Sequence, residues 1–90
     1  MAIQFKIIHV IYHHNRGQFI AASLLDNPLD REIKEGSLLG NIPVYLYKKM
    51  ENIRDEMDMP QPDIYVFRPI KYSLTRFFET DQITGLTMVD

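Results

Sequence analysis

The chain lacks cysteine and long apolar runs, and each absence excludes a class of protein. Without cysteine among its 90 residues, it has no disulfide framework, no thiolate metal site and no cysteine nucleophile. No apolar run approaches the roughly 20 residues that a membrane-spanning helix needs. Residues 1–6 also lack the basic region and cleavage site of a signal peptide. We therefore expect a soluble, cytoplasmic protein with no membrane partner.

A large charge of either sign is also lacking, because the formal net charge is -2 at pH 7. This balance gives no overall attraction to nucleic acid or to an anionic membrane. The charges are uneven, however: residues 51–63 contain five acids and one base, whereas residues 64–78 contain three bases and no acid. The length is that of one domain, which we expect to span residues 1–90.

Alternating β-branched, aromatic and polar residues predict a mainly β protein. In the first strand, the odd-numbered residues from Ile3 to His13 are expected to share one face. Pro43 cannot donate a ladder hydrogen bond, so it marks either a strand start or a sheet edge. The predicted strands are residues 3–13, 18–25, 42–47, 64–70, 72–78 and 83–89.

Two segments between these strands break the β pattern. Residues 27–36 fit either a short helix, with Asn27 as its N-cap and Gly36 beyond its end, or a loop that leads into a short extended segment. Residues 48–59 carry a partial apolar stripe at helical spacing, but their lysines come first and their acids last, which opposes the helix dipole. We predict a short helical or irregular insertion near 48–59.

Residues 15–24 and 33–37 contain two turns marked by Gly17 and Gly36. Over residues 15–40 the chain resembles the β-barrel domain that follows the GTPase domain in elongation factor Tu and its relatives. The resemblance implies a small six-stranded antiparallel barrel or strongly curved sheet, in which 18–25 and 37–47 are strands. It implies no activity, because the family's GTP chemistry lies in another domain and this chain has no glycine-rich phosphate loop.

The stretch 64–78 combines aromatic and basic residues and contains no acid. Single-stranded nucleic-acid binders stack bases on exposed rings while cations follow the backbone. The opposing interpretation is that the rings belong to the core, where most aromatic residues of a small domain lie. The candidate residues for binding a protein partner or a nucleic acid are Tyr65, Arg68, Lys71, Tyr72 and Arg76.

The three histidines form no recognisable metal or catalytic motif. In a strand, His9 and His13 lie on one face but about 13 Å apart at about 3.3 Å per residue, while His13 and His14 point to opposite faces. A small enzyme that uses His13 or His14 with Asp26 or Glu35 requires these groups to converge in a pocket. We predict no metal, no cofactor and no catalytic residue.

The leading hypothesis is a non-catalytic interaction or assembly module. It depends on an edge strand at 42–47 and on the methionine-containing acidic segment at 48–63, both of which suit a protein partner or a homodimer. The alternative is a small barrel that binds single-stranded nucleic acid through residues 64–78.

Overall fold

The computed structural model describes residues 3–25, 32–50, 63–71, 73 and 75–89 of the chain. Its strands are β1 (Ile3–His13), β2 (Gly17–Leu24), β3 (Ser37–Leu39), β4 (Ile42–Met50), β5 (Ile64–Pro69) and β6 (Ile83–Thr87). All neighbouring strands are antiparallel, and they form a closed barrel in the order β1, β2, β5, β4, β3, β6. This confirms the predicted mainly β, six-stranded antiparallel barrel.

The shortest strand, β3, has the sequence Ser-Leu-Leu, in which apolar and polar residues do not alternate. It is bounded by Gly36 and Gly40, whose positive φ angles of 97° and 63° allow the chain to turn at both ends. Despite its length it pairs with β4 on one side and β6 on the other, and so closes the barrel.

The predicted strand at 72–78 is wrong. Within it, Ser73 and residues 75–78 are irregular in the structure. The side-chain amide of Gln18 donates to the backbone carbonyls of Ser73 and Thr75 at 3.2 and 2.9 Å. A side chain of β2 therefore holds Ser73 and Thr75, neither of which belongs to a strand.

The predicted insertion near 48–59 begins later than expected. Residues 48–50 continue β4 and pair with β5, because Lys49 and Met50 lie opposite Tyr65 and Ile64 in a regular register. The rest of the prediction, residues 51–59, lies outside the described residues. For the 27–36 segment, the structure describes residues 32–36, which form a non-helical stretch ending in a turn.

The core lies on the inner face of the barrel and centres on Phe5. Its ring meets those of Tyr65 and Phe67 edge to face, with both pairs of centroids 5.4 Å apart. Such pairs add about 0.5–1.5 kcal/mol beyond the burial of their surface. The buried apolar side chains are Phe5, Ile7, Ile20, Ala22, Leu24, Leu39, Val44, Tyr65, Phe67, Phe78 and Leu86.

The prediction of a sheet edge at 42–47 is wrong. β4 has β3 on one side and β5 on the other. Pro43 lies opposite Leu38, and its carbonyl accepts a hydrogen bond from the backbone N–H of Ile70 at 3.0 Å. The nitrogen of Pro43 faces the same side, where β5 has already ended, so the missing N–H interrupts no ladder. Pro43 therefore marks a strand start.

A β-bulge in β1 divides the molecule into two parts. The register between β1 and β2 shifts between Ile7 and His9, so the odd-numbered residues do not share one face along the whole strand. Phe5 and Ile7 point into the barrel, whereas Val10 and Tyr12 follow the inner face beyond the bulge. The expected common face from Ile3 to His13 is therefore wrong after Ile7. We call residues 8–19 the hairpin arm.

Candidate functional site

Arg68 lies at the centre of an aromatic cluster on the outer surface of the barrel. Its guanidinium carbon is 4.5 Å from the centroid of the Phe19 ring and 5.9 Å from the centroids of Tyr45 and Tyr47. Its Nη2 donates to the backbone carbonyl of Arg16. A cation over an aromatic face is stabilised by about 0.5–2 kcal/mol, depending on its desolvation. The side chains therefore form a preorganised surface.

This cluster belongs to a row of side chains that crosses four neighbouring strands. Ile11 on β1 lies opposite Phe19 on β2, and Tyr45 on β4 lies opposite Arg68 on β5. The contact between Phe19 and Arg68 makes the row continuous. We call Ile11, Phe19, Arg68, Tyr45 and Tyr47 the outer row. It contains no acid, and Ile11 and Tyr47 are 50% and 52% exposed.

The hairpin arm leaves one side of β1 without a neighbouring strand. β6 pairs with β1 over residues 3–6, and the last bonds on that side join Ile7 to Asp81 and Gln82 at 2.7 and 2.8 Å. Residues 8–13 have β2 on one side. On the other, no backbone group in the described part of the chain is bonded to them. We call this side the open edge.

A cleft of about 360 Å³ lies where β2 begins and β5 ends. Its lining includes Arg16, Gln18, Tyr45, Arg68 and Lys71, and none of the described residues that line it is acidic. A second space of about 490 Å³ adjoins this cleft, because Pro69, Ile70, Lys71 and Ser73 line both. We call the two spaces together the barrel-end cleft.

The structure brings together two of the five residues proposed from the sequence and separates a third. Arg68 and Lys71 both line the barrel-end cleft. Arg76 lies on the opposite face of the hairpin arm, where its guanidinium carbon is 5.7 Å from the centroid of the Tyr12 ring. Arg76 also pairs with Glu79 at 3.4 Å. Arg68 and Arg76 therefore do not form a single cationic surface.

Tyr65, one of the two tyrosines proposed from the sequence, does not contribute to this surface. Tyr65 is 2% exposed, so its ring is not accessible to a base or to a partner. The side chain of Lys49 lies over this ring, with its Nζ atom 5.2 Å from the centroid. Tyr72 lies outside the described residues.

The histidines lie in the arm and its turn. The rings of His13 and His14 are stacked, with centroids 5.4 Å apart and an interplanar angle of 2°. The expectation that they point to opposite faces is wrong, because the strand ends at His13 and residue 14 belongs to the turn. Within the described ranges, no three histidine or acidic side chains form a group that could hold a metal ion.

The described members of the catalytic arrangement considered from the sequence do not meet in the barrel-end cleft. His13, His14 and Glu35 are exposed, and none of them lines the barrel-end cleft. Asp26, the remaining member of that arrangement, lies outside the described residues.

Sequence reasoning missed the residues of β2 and β4 that complete the surface around Arg68. Phe19 and Tyr45 adjoin the buried residues Ile20 and Val44, so strand alternation alone predicts that they point outwards. The missing information was the pairing of β2 and β4 on either side of β5. Arg16 and Gln18 gave no signal, because an arginine and a glutamine beside a turn are usually solvated.

Comparison of the chain with protein-family models, curated proteins and solved structures gave no match. The resemblance to the β-barrel domain of elongation factor Tu therefore stays a prediction. Among the described residues, no helix has the length and apolar character needed to span a membrane.

Proposed function

We propose that the protein is a non-catalytic interaction module of small β-barrel type that assembles with a second copy of itself through the open edge of β1. One observation carries this proposal. Among the described strands, residues 8–13 have a neighbour on one side only, and their Ile8 and Ile11 side chains are 39% and 50% exposed. An extended backbone with free hydrogen-bonding groups and exposed apolar side chains is suited to pair with another strand.

The open edge carries few of the features that keep edge strands apart. Monomeric proteins protect such edges with lysine, proline or other charged side chains. Residues 8–13 contain no lysine, arginine, acid or proline. The bulge at Ile8 lies at the beginning of the segment, which leaves the residues after it in regular pairing with β2.

The direction of the backbone groups defines the register of the proposed pairing. The carbonyl of His13 accepts a hydrogen bond from Arg16 within the hairpin, so it faces β2. Backbone groups alternate in direction along a strand, and those of Val10 and Tyr12 therefore face the open edge. In an antiparallel pair with a twofold axis at Ile11, Val10 of each copy exchanges hydrogen bonds with Tyr12 of the other.

This register favours a second copy as the occupant. The resulting interface is isologous, because each copy contributes the same segment. It brings the two exposed Ile11 side chains together. It places no lysines, arginines or carboxylates opposite each other, because residues 8–13 contain none. It also places the outer rows of the two barrels end to end at Ile11, so that their apolar and aromatic side chains form one continuous surface. Continuity of this surface across the axis supports a dimer over an unrelated peptide.

The test is sedimentation velocity over a range of protein concentrations. We expect a monomer–dimer equilibrium whose dissociation constant rises at least about tenfold, or about 1.4 kcal/mol, in Ile11→Lys. The physical reason is that two lysines directly opposite each other repel. Leu25→Lys is the matched control, because Leu25 is 48% exposed and its backbone N–H bonds to Gln4, at the end of the β1–β2 pair remote from the open edge.

The control should dimerise like the unmodified protein, and circular dichroism should show that both variants keep the barrel. A strict monomer at all concentrations would contradict the proposal. Equal effects of Ile11→Lys and Leu25→Lys would also contradict it, because the position of the added charge would then not matter.

Single-stranded nucleic-acid binding is the second candidate, and the outer row favours it. Phe19 and Tyr47 adjoin Arg68 on an exposed surface without acids, which provides stacking faces beside a cation. This candidate predicts salt-dependent retention of single-stranded RNA that Arg68→Ala weakens and Arg76→Ala does not. No retention at low salt would exclude it.

A further inference from the structure

The barrel-end cleft has a cationic part and an apolar part. Arg16, Arg68 and Lys71 contribute to the first part, and Ile42, Ile70 and Phe77 are among the residues that line the second. The volumes of about 360 and 490 Å³ fall in the range that small-molecule sites occupy. The shape therefore suits a ligand with an anionic end and an apolar end.

Within the described ranges, the cations of the cleft lack the carboxylate partners that several other cations have. Lys6, Lys49 and Arg76 each lie within 4.0 Å of an acidic side chain. Among the residues that the structure describes, Arg16, Arg68 and Lys71 make no such pair. Positive charges gathered in a concave site without acids attract an anion.

Gln18 supplies an independent indication of a ligand. It is 1% exposed, and its Nε2 atom donates to two backbone carbonyls, those of Ser73 and Thr75. Because carbonyls only accept hydrogen bonds, these contacts fix the orientation of the amide. Its Oε1 atom is then buried with no partner in the described part of the chain, at a cleft-lining residue. A buried acceptor of this kind usually has a donor.

Arg68 also has unused hydrogen-bonding capacity at the cleft. An arginine carries five N–H donors in a planar fork, a geometry suited to phosphate and carboxylate oxygens. One nitrogen, Nη2, donates to the carbonyl of Arg16. The Nε atom is buried without a partner among the described residues. The Phe19 ring holds the guanidinium plane in place, so its remaining donors are preorganised.

We propose that the barrel-end cleft binds a small phosphomonoester that carries an aromatic or apolar group. Its phosphate lies against Arg16, Arg68 and Lys71, and its apolar group lies against Ile70 and Phe77. A phosphomonoester is preferred to a carboxylate, because three cations match the charge of close to -2 that a phosphate carries near pH 7. A ligand that also carries a hydroxyl or N–H group donates it to Oε1 of Gln18, a contact that phenyl phosphate, the probe for the phosphate and apolar parts of the site, does not make.

The test is a titration of the full chain with phenyl phosphate, followed by NMR of the nitrogen-15-labelled protein. We expect saturable shifts of the Gln18 side-chain amide and of the backbone amides of Gly17, Ser73 and Phe77. Lys71→Ala should weaken binding about tenfold, because it removes a charge-assisted contact. Arg16→Ala is a second variant that keeps the backbone carbonyl bonded to Arg68.

Arg76→Ala is the matched control, because it makes the same change in net charge on the other face of the hairpin arm. We expect its affinity for phenyl phosphate to stay within about twofold of the unmodified protein, since long-range charge effects are screened by salt. Equal weakening by Lys71→Ala and Arg76→Ala would overturn the proposal, because attraction would then follow net charge alone.

Three further probes identify the chemistry of the ligand. Inorganic phosphate lacks the apolar group, benzoate lacks the second charge, and a short oligothymidylate without a terminal phosphate contains phosphodiesters only. We expect phenyl phosphate to bind more tightly than each of them. Binding no tighter than inorganic phosphate or benzoate would overturn the assignment, and tighter binding of the oligothymidylate would replace it with nucleic-acid binding. Dimerisation is measured separately, so either proposal can fail alone.

Discussion

The two halves of β1 have similar sequences and contrasting environments. Residues 3–7 lie between β2 and β6, and Phe5 and Ile7 are fully buried. Residues 8–13 are as rich in β-branched and aromatic residues, but of the described strands β2 alone pairs with them, and they are mostly exposed. β-propensity therefore explains why both halves are extended. The number of neighbouring strands determines which half becomes core.

The boundary between the halves coincides with a turn that precedes β6. Asp81 has a φ angle of 71°, and the backbone N–H of Glu79 donates to the Gln82 side chain at 2.9 Å. The backbones of Asp81 and Gln82 make the last hydrogen bonds to Ile7. The turn directs the chain away from β1 at this point, so the hairpin arm extends beyond the closed barrel.

The strongest test of this contrast compares an apolar truncation in each half of β1. Phe5→Ala should destabilise the protein by about 3–5 kcal/mol, because it leaves a cavity beside Tyr65 and Phe67. Ile11→Ala, which removes a side chain that is 50% exposed, should cost about 0.5 kcal/mol or less. Urea unfolding, at a concentration where sedimentation shows one species, measures both free energies. Similar losses in the two variants would mean that the arm is packed as tightly as the barrel.

A second test asks how firmly Gln18, in the hairpin arm, holds Ser73 and Thr75. Gln18→Ala should cost about 1–3 kcal/mol, because it leaves the part-buried carbonyls of Ser73 and Thr75 without their donor. Gln82→Ala is the matched control, since it removes one hydrogen bond in an exposed turn and should cost about 0.5 kcal/mol or less.

Hydrogen exchange gives a second measure of the same contact. The backbone N–H of Thr75 donates to the Ser73 hydroxyl at 3.0 Å, and its exchange should accelerate in Gln18→Ala. Unchanged exchange at Thr75 together with unchanged stability would show that the segment is held without Gln18.

The sequence was sufficient to predict the fold class, because strand alternation is a local property. Alternation within one strand places Tyr65 and Phe67 on the same face, as observed, but it did not indicate that this face is the buried one, and Tyr65 was proposed as a binding residue. Two features escaped prediction because they depend on distant residues. The bulge at Ile8 changes which residues face inwards, and the irregular path at 75–78 depends on carbonyl contacts with Gln18, more than 50 residues away.

The candidate site was predicted less well than the fold. Arg68 and Lys71 were identified from their charge, and they do line one cleft. Arg76 was grouped with them because it lies near in sequence, but the chain turns and places it beside Tyr12. Charge patterns along a segment therefore identify candidate residues, whereas strand order decides which of them meet.

The smallest expected effect concerns β3, the strand that closes the barrel. Ser37, on the three-residue strand β3, is fully buried. Its hydroxyl donates to the carbonyl of Lys34 at 2.8 Å and accepts from the backbone N–H of Val89 at 3.3 Å. Ser37→Ala should cost about 1–2 kcal/mol, because it leaves both backbone groups without this partner. Thermal and urea unfolding both report the loss.

Ser23→Ala is the matched control for Ser37→Ala. Ser23 is half-buried on β2, and within the described ranges its hydroxyl makes no hydrogen bond, so its removal should change stability by less than about 0.5 kcal/mol. A larger cost at Ser37 would mean that backbone pairing of so short a strand does not close the barrel alone. Equal costs would mean that the backbone pairing of β3 with β4 and β6 is sufficient to close the barrel.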